Sequence, residues 1–248
     1  MTFDPRELTS TPYGAPLTPP LPMRMRQTEI LTIVYRTDRE AADALVPEPL
    51  ELADDLVVAQ IYRMHDADWF GAYCESAFQL PVRLPDGTRG TCSPFLVLES
   101  DGAVATGREA YGQPKKHGQV SLAADGDLLV GRIARNGVEI AVATMVYKQR
   151  RAEPGALEAL IPGSAVNVNL RVLPDDGERY RRELVGRAFA DVVEHEAWTG
   201  PATLELHPHA QLPVHRLPVR EVVLGLHRIV DLTLPPGRVI HRYACDSR

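Results

Sequence analysis

"TEILTIVYRTDRE", residues 28–40, carries two kinds of local structure in one stretch. TEILTIVY (28–35) has the alternation of a half-buried strand, and the character changes at Thr37-Asp38-Arg39-Glu40. That tetrapeptide has the form of a capping box, in which Thr37 caps the first helical turn and Glu40 reaches back. The helix is expected to run through Ala44–Leu45 and to stop before Pro47 and Pro49, since proline removes a donor and blocks continuation.

Outward from there the strand pattern dominates. LVVAQIYR (56–63), PFLVLE (94–99), LLVGRI (128–133), VEIAVATMVY (138–147), AVNVNLRVL (165–173) and ATLELH (202–207) alternate in the same way. GALEALIP (155–162) is a second, shorter helix. Many strands and few helices predict a mainly β, α+β chain, either a barrel or a pair of packed sheets with helices at the margin. Residues 1–26, with Pro12, Pro16, Pro19, Pro20 and Pro22, read as an extended arm, and 27–248 as a single domain.

Composition narrows the function classes. The chain has 248 residues, 44% hydrophobic and 24% charged, which is enough apolar material for a sizeable core. A net charge of −6, with no basic block longer than Arg150–Arg151 or Arg181–Arg182, argues against nucleic acid as a partner. There is no charged leader followed by an apolar run and no apolar stretch of about 18 residues, so a cytoplasmic protein with no membrane association is expected. Cys74, Cys92 and Cys245 are odd in number and widely spaced, which suggests reduced thiols. His207-Pro208-His209 puts two imidazoles on one side of a strand, but no third histidine or nearby carboxylate completes a metal set. His195-Glu196 begins like a zinc-protease helix, yet Thr199 stands where the second histidine belongs.

The chemistry concentrates in "GREAYGQPKKHG" (107–118), where Lys115 and Lys116 follow Pro114 directly. An amine attacks a carbonyl only when unprotonated, and a free lysine with a pKa near 10.4 is almost wholly charged at neutral pH. Lowering that pKa by about 4 units takes roughly 5 kcal/mol, which an exposed pair does not experience. A working pair therefore requires a desolvated cleft, and without one the dipeptide is a solvated turn. Gly107 and Gly112 permit close backbone approach and Pro114 fixes the chain, so the segment reads as a rigid loop.

This segment also resembles the Schiff-base lysine motif, GRE....PKK, of the acetoacetate decarboxylase family. IVYRTD (33–38), VPEPLE (46–51), MHD (64–66), TMVYK (144–148), HEAWTGP (195–201) and LPV.E (217–221) are similar to that family in the same order and spacing. The resemblance implies a closed conical β-barrel core flanked by sheet, a cofactor-independent Schiff-base lyase, and assembly into a homo-oligomer. It places Lys115 on the imine-forming lysine, Lys116 on its cationic neighbour, and Glu75, in AYCES (72–76), on the active-site glutamate. Three positions depart from the family pattern. Thr28 stands for an arginine associated with the substrate carboxylate, Gln60 for a second glutamate, and Gln113 for a frequent aromatic residue. These three are the candidate substrate-binding, specificity-determining wall. On an unbroken strand Arg24 and Arg26 share a face with Thr28, so Arg26 or Arg24 is the expected substitute anchor, displaced by about 7 Å per two residues.

The expected activity is decarboxylation of a β-keto acid to a ketone and CO2. Two alternatives share the pocket: an aldolase-dehydratase acting on pyruvate and an aldehyde through the same enamine, and a barrel that binds a small carbonyl compound without turning it over. Retention of Glu75 favours the decarboxylase, and adjacent lysines behind Pro114 favour an enzyme over a binder.

Overall fold

The computed structural model describes residues 17–175 and 179–244. Most of the expected proline-rich arm, residues 1–16, lies outside the described residues, as does Cys245. Among the described residues sixteen strands follow one another: β1 (Met23–Arg36), β2 (Glu51–Leu52), β3 (Leu56–Ala67), β4 (Gly71–Arg83), β5 (Arg89–Leu98), β6 (Lys115–His117), β7 (Gln119–Asp125) and β8 (Leu128–Arg135), then β9 (Val138–Val146), β10 (Arg150–Arg151), β11 (Val166–Pro174), β12 (Tyr180–Ala188), β13 (Ala190–Thr199), β14 (Ala202–Leu206), β15 (Glu221–Leu234) and β16 (Arg238–Arg242). Among the described residues three α-helices interrupt them, α1 (Arg39–Asp43), α2 (Asp101–Tyr111) and α3 (Ala156–Leu160), with a 3-10 turn at Val214–Arg216. The mainly β, single-domain expectation holds, and every strand stretch picked out by alternation falls within a strand, give or take a terminal residue.

The larger sheet runs in the order β10-β13-β15-β1-β3-β4-β5-β11-β12-β16, with β2 on β4 and β6 on β5, and the smaller in the order β14-β9-β8-β7. The larger sheet has twelve strands, and no pairing among the described residues joins β10 to β16. Alternation assigns the two faces of this sheet different work. Leu31, Ile33, Ile61, Phe78 and Val97 pack against Leu129, Ile133, Ile140 and Met145 of the smaller sheet. The residues one step out of phase, Ile30, Tyr62, Met64 and Leu96, face the other way with Ala103 and Tyr111 of α2. The candidate chemistry lies on this second face.

Three local readings need correction. At the expected capping box, Asp38 is the N-cap residue, with no side-chain cap, because its carboxylate is taken by Arg220 at 2.8 and 2.9 Å. The Thr37 hydroxyl is buried without a hydrogen-bond partner. The segment before Gly112 is a helix, α2, where a loop was expected: Ser100 accepts a hydrogen bond from the Ala103 N–H at 3.3 Å and starts it. Finally, β1 is not an unbroken strand. Gln27 adopts a left-handed φ of 51° and the register against β15 slips between Met25 and Thr28. Such a bulge inserts one extra residue and inverts the alternation on either side of it. Met23 and Met25 thus share the inner face with Thr28 and Ile30, while Arg24 and Arg26 face outward, Arg26 to Asp66 at 3.1 Å and Asp68 at 3.0 Å. Neither arginine lines the chambers described below.

Candidate active site

The helix end builds the site. Gly112 takes a left-handed φ of 70°, and a Cβ there would lie 2.5 Å from the Arg171 nitrogen, so only glycine makes this turn. The N–H groups of Gly112 and Gln113 return to the carbonyls of Arg108 and Gly107 at 3.3 and 2.9 Å, closing the helix. Pro114 then delivers the chain to β6, which runs parallel to β5 with Lys115 opposite Leu96. Each member of the Gly-Arg-Glu triplet has work here. A Cβ on Gly107 would stand 2.6 Å from Lys115 Cε and closer still to Cδ, so the glycine opens the slot in which the lysine stem lies. Arg108 Nη1 donates to the Lys115 carbonyl at 3.1 Å, and Glu109 accepts from the Thr18 hydroxyl at 2.7 Å.

Lys115 is 8% exposed, and its Nζ donates to Glu75 Oε2 at 3.0 Å; Glu75, from β4, is 7% exposed. Burial pushes the Lys115 amine below the ordinary lysine range, Glu75 opposes the shift, and the Arg187 guanidinium adds to it. The desolvated cleft demanded by the sequence is therefore present.

Lys116 does not share it. As the next residue on a strand it points to the opposite face, and its Nζ donates to the Gln211 carbonyl at 2.9 Å. His209 Nδ1 accepts the N–H groups of Gln211 and Leu212 at 3.1 and 3.2 Å, which holds that carbonyl in place. The cation that lowers the Lys115 pKa is Arg187, whose strand β12 has no regular apolar alternation in its sequence to mark it. Lys116 ties β6 to a turn. Lys116→Arg, which keeps a donor for Gln211, is expected to hold kcat/KM within about threefold, whereas Lys116→Met loses about tenfold or more, measured by steady-state kinetics.

The candidate wall residues separate. Gln113 lines the small chamber containing Lys115 and donates to Asn167 Oδ1 at 3.3 Å. Gln60 lines a larger neighbouring chamber, where it donates to Thr32 at 3.2 Å and accepts from the Tyr62 hydroxyl at 2.5 Å. Thr28 is fully buried with no partner for its hydroxyl, and it lines neither chamber. The inner chamber has a volume of about 40 Å³ and the outer about 380 Å³. Tyr62, Gln79, Arg187 and Phe189 belong to both and form the neck between them. Met23, Met25, Met64 and Leu96 make the inner chamber's apolar wall.

The histidine motif looks different in three dimensions. Glu139 and Glu205 do approach His207, at 3.7 and 3.9 Å, contrary to the expectation of no nearby carboxylate. His209 is turned to its own backbone, and among the described residues no group of three potential ligands gathers. Glu196 pairs with Lys148 and accepts from Trp198 Nε1 at 3.0 Å, which brings TMVYK and HEAWTGP together as a structural contact. No helix among the described residues is long and apolar enough to cross a membrane.

Fold and site together define a mainly β protein that holds one desolvated amine against a carboxylate at the end of an apolar cavity, the equipment of imine chemistry. The chain belongs to the acetoacetate decarboxylase family, whose model, described as acetoacetate decarboxylase (ADC), matches residues 8–244. It is 39% identical to acetoacetate decarboxylase of Clostridium acetobutylicum over 94% of this chain and 95% of that one. It is 41% identical to acetoacetate decarboxylase 1 of Bradyrhizobium diazoefficiens over 96% of both. A solved acetoacetate decarboxylase structure superimposes with a TM-score of 0.89 at 37% identity, covering 96% of this chain and 97% of its own.

Proposed function

We propose that the protein is a carboxy-lyase that decarboxylates a β-keto acid such as acetoacetate through an imine on Lys115. The observation that carries this reading is the buried Lys115 amine, 3.0 Å from the Glu75 carboxylate and lowered in pKa by its burial. A neutral Lys115 adds to the keto carbon, and loss of water leaves a protonated imine. The bond to the carboxylate carbon breaks, its electron pair passes into the imine, and CO2 departs. The resulting enamine takes a proton on carbon, and water then hydrolyses the imine, restoring the amine and releasing the ketone. The water lost in the first step is regained in the last, so the net reaction consumes one proton. Glu75 accepts the Lys115 hydrogen bond in the resting site, which supports a role for its carboxylate in moving protons to and from the lysine nitrogen.

The test is to incubate the protein with acetoacetate, reduce with borohydride, and map the modified peptide. An isopropyl group on Lys115 is the expected result, since it requires both imine formation and loss of CO2. An adduct that keeps its carboxylate would overturn decarboxylation of this acid, and its appearance with pyruvate plus an aldehyde would move the assignment to the aldol reaction.

A further inference from the structure

Resting on the reading above, a β-keto acid must present its carboxylate to a donor while its keto carbon meets Lys115, and β1 supplies none. Thr28 is a buried hydroxyl, and the bulge at Gln27 turns Arg24 and Arg26 outward, Arg26 onto Asp66 and Asp68. The charged groups lining the inner chamber are Lys115, Glu75 and Arg187, and the first two hold each other. Arg187, from β12, stands in the neck between the chambers. Its guanidinium carbon lies 4.1 Å from the centre of the Phe189 ring and 5.8 Å from that of Tyr111. Among the described residues its side chain makes no hydrogen bond or ion pair, and its Nε is buried without an acceptor. None of the three carboxylates lining the outer chamber pairs with it: Glu153 is exposed, Glu194 approaches Arg228 at 3.9 Å, and Glu158 accepts from the Gly163 N–H and the Ser164 hydroxyl at 2.8 and 2.7 Å.

Arg187 is half-buried with its Nε enclosed; a partly desolvated cation without a counter-ion is costly, and the cost is recovered when an anion binds. A planar guanidinium backed by aromatic rings is suited to a carboxylate, which it can grip with two parallel hydrogen bonds. We propose that Arg187 is the substrate-carboxylate anchor of this protein, taking over from the opposite wall the work of the arginine absent at position 28. Substrate enters through the outer chamber, its carboxylate stops at the neck, and its other end points to Met25, Met64 and Leu96. Met23, Met25 and Met64 of that wall adapt to different groups at this end. Loss of CO2 then occurs at the neck, facing the larger chamber.

Because the carboxylate's charge disperses as the bond breaks, the anchor holds the ground state at least as firmly as the transition state. Its removal is therefore expressed chiefly in KM. Arg187→Met is expected to lower kcat/KM for acetoacetate about 100-fold, mainly by raising KM, with partial recovery in Arg187→Lys. Acetylacetone, a diketone without a carboxylate, provides the control. Formation of its enaminone on Lys115, followed by absorbance at a pH on the plateau of both enzymes, should stay within about twofold of the parent. An equal fall with both compounds would show that Arg187 acts only on the lysine or on folding and would overturn the assignment, as would an unchanged KM for acetoacetate. If Arg187→Met fails to fold, Arg187→Gln carries the same comparison. A parent protein with no borohydride adduct on Lys115 would overturn the imine reading first, a result separable from any effect of position 187.

Discussion

Lys115→Met is expected to abolish turnover, by on the order of 10⁴-fold or more in kcat/KM, and to abolish borohydride trapping with it. The chain has only three lysines, Lys115, Lys116 and Lys148, so there is little room for rescue. Lys116 is committed to Gln211 on the other face of β6, and Lys148 is paired with Glu196, which raises its pKa and keeps it charged. Methionine matches the lysine stem in length and fits the slot beside Gly107, so loss of activity with a normal melting profile separates chemistry from folding. Retention of a tenth of the activity would rule out the imine. The pH profile gives a companion result whose sign follows from the charges. The amine must be neutral to attack, so the rate rises with pH through the lowered Lys115 pKa. Glu75 raises that pKa and Arg187 lowers it. Glu75→Gln should therefore move the acid limb further down in pH, and Arg187→Met should move it up. Shifts in the same direction would show that the two charges do not act on Lys115 in this way.

Why was the fold legible and half of the site not? Alternation is a property of consecutive residues, so TEILTIVY and VEIAVATMVY declared their strands, and Lys115 could be located from its motif. The partners of a side chain are a property of strand order. Arg187 is brought to the cavity from β12, separated from β3 and β4 along the sheet by β5 and β11, and no local pattern encodes that meeting. The true faces of Arg24 and Arg26 are hidden for a sharper reason. Face assignment by twos is valid only while a strand stays regular, and the single left-handed residue Gln27 reverses it. Lys116 shows the opposite lesson, since β6 stays regular and regularity alone sends neighbouring side chains to opposite faces. Strand geometry predicts that separation from the moment Lys115–Lys116 is placed on a strand. Reading the segment as a loop hides that separation.

Gly107→Ala should uncouple activity from stability. Glycine in a helix interior destabilises by about 0.5–1 kcal/mol relative to alanine, so a methyl group in the middle of α2 is intrinsically favourable. The atoms it would collide with are Cδ and Cε of Lys115, the far part of a flexible side chain, followed by Gln113 Oε1 at 3.1 Å. The lysine can swing aside without moving the backbone, so the helix tolerates the methyl group, and the melting temperature is expected to hold or rise. The swing, however, carries Nζ away from Glu75 and from the keto carbon, and a displacement of about 1 Å costs roughly 100-fold in rate. Gly112→Ala supplies the contrast, because there the new carbon meets the backbone nitrogen of Arg171 at 2.5 Å in a left-handed turn that L residues resist. That variant should lose stability and activity together. If Gly107→Ala instead kept full activity, the slot beside the helix would not be what positions the amine. Its loss of activity at undiminished stability would mean that the glycine of the motif is there for the lysine eight residues later, not for the helix that contains it.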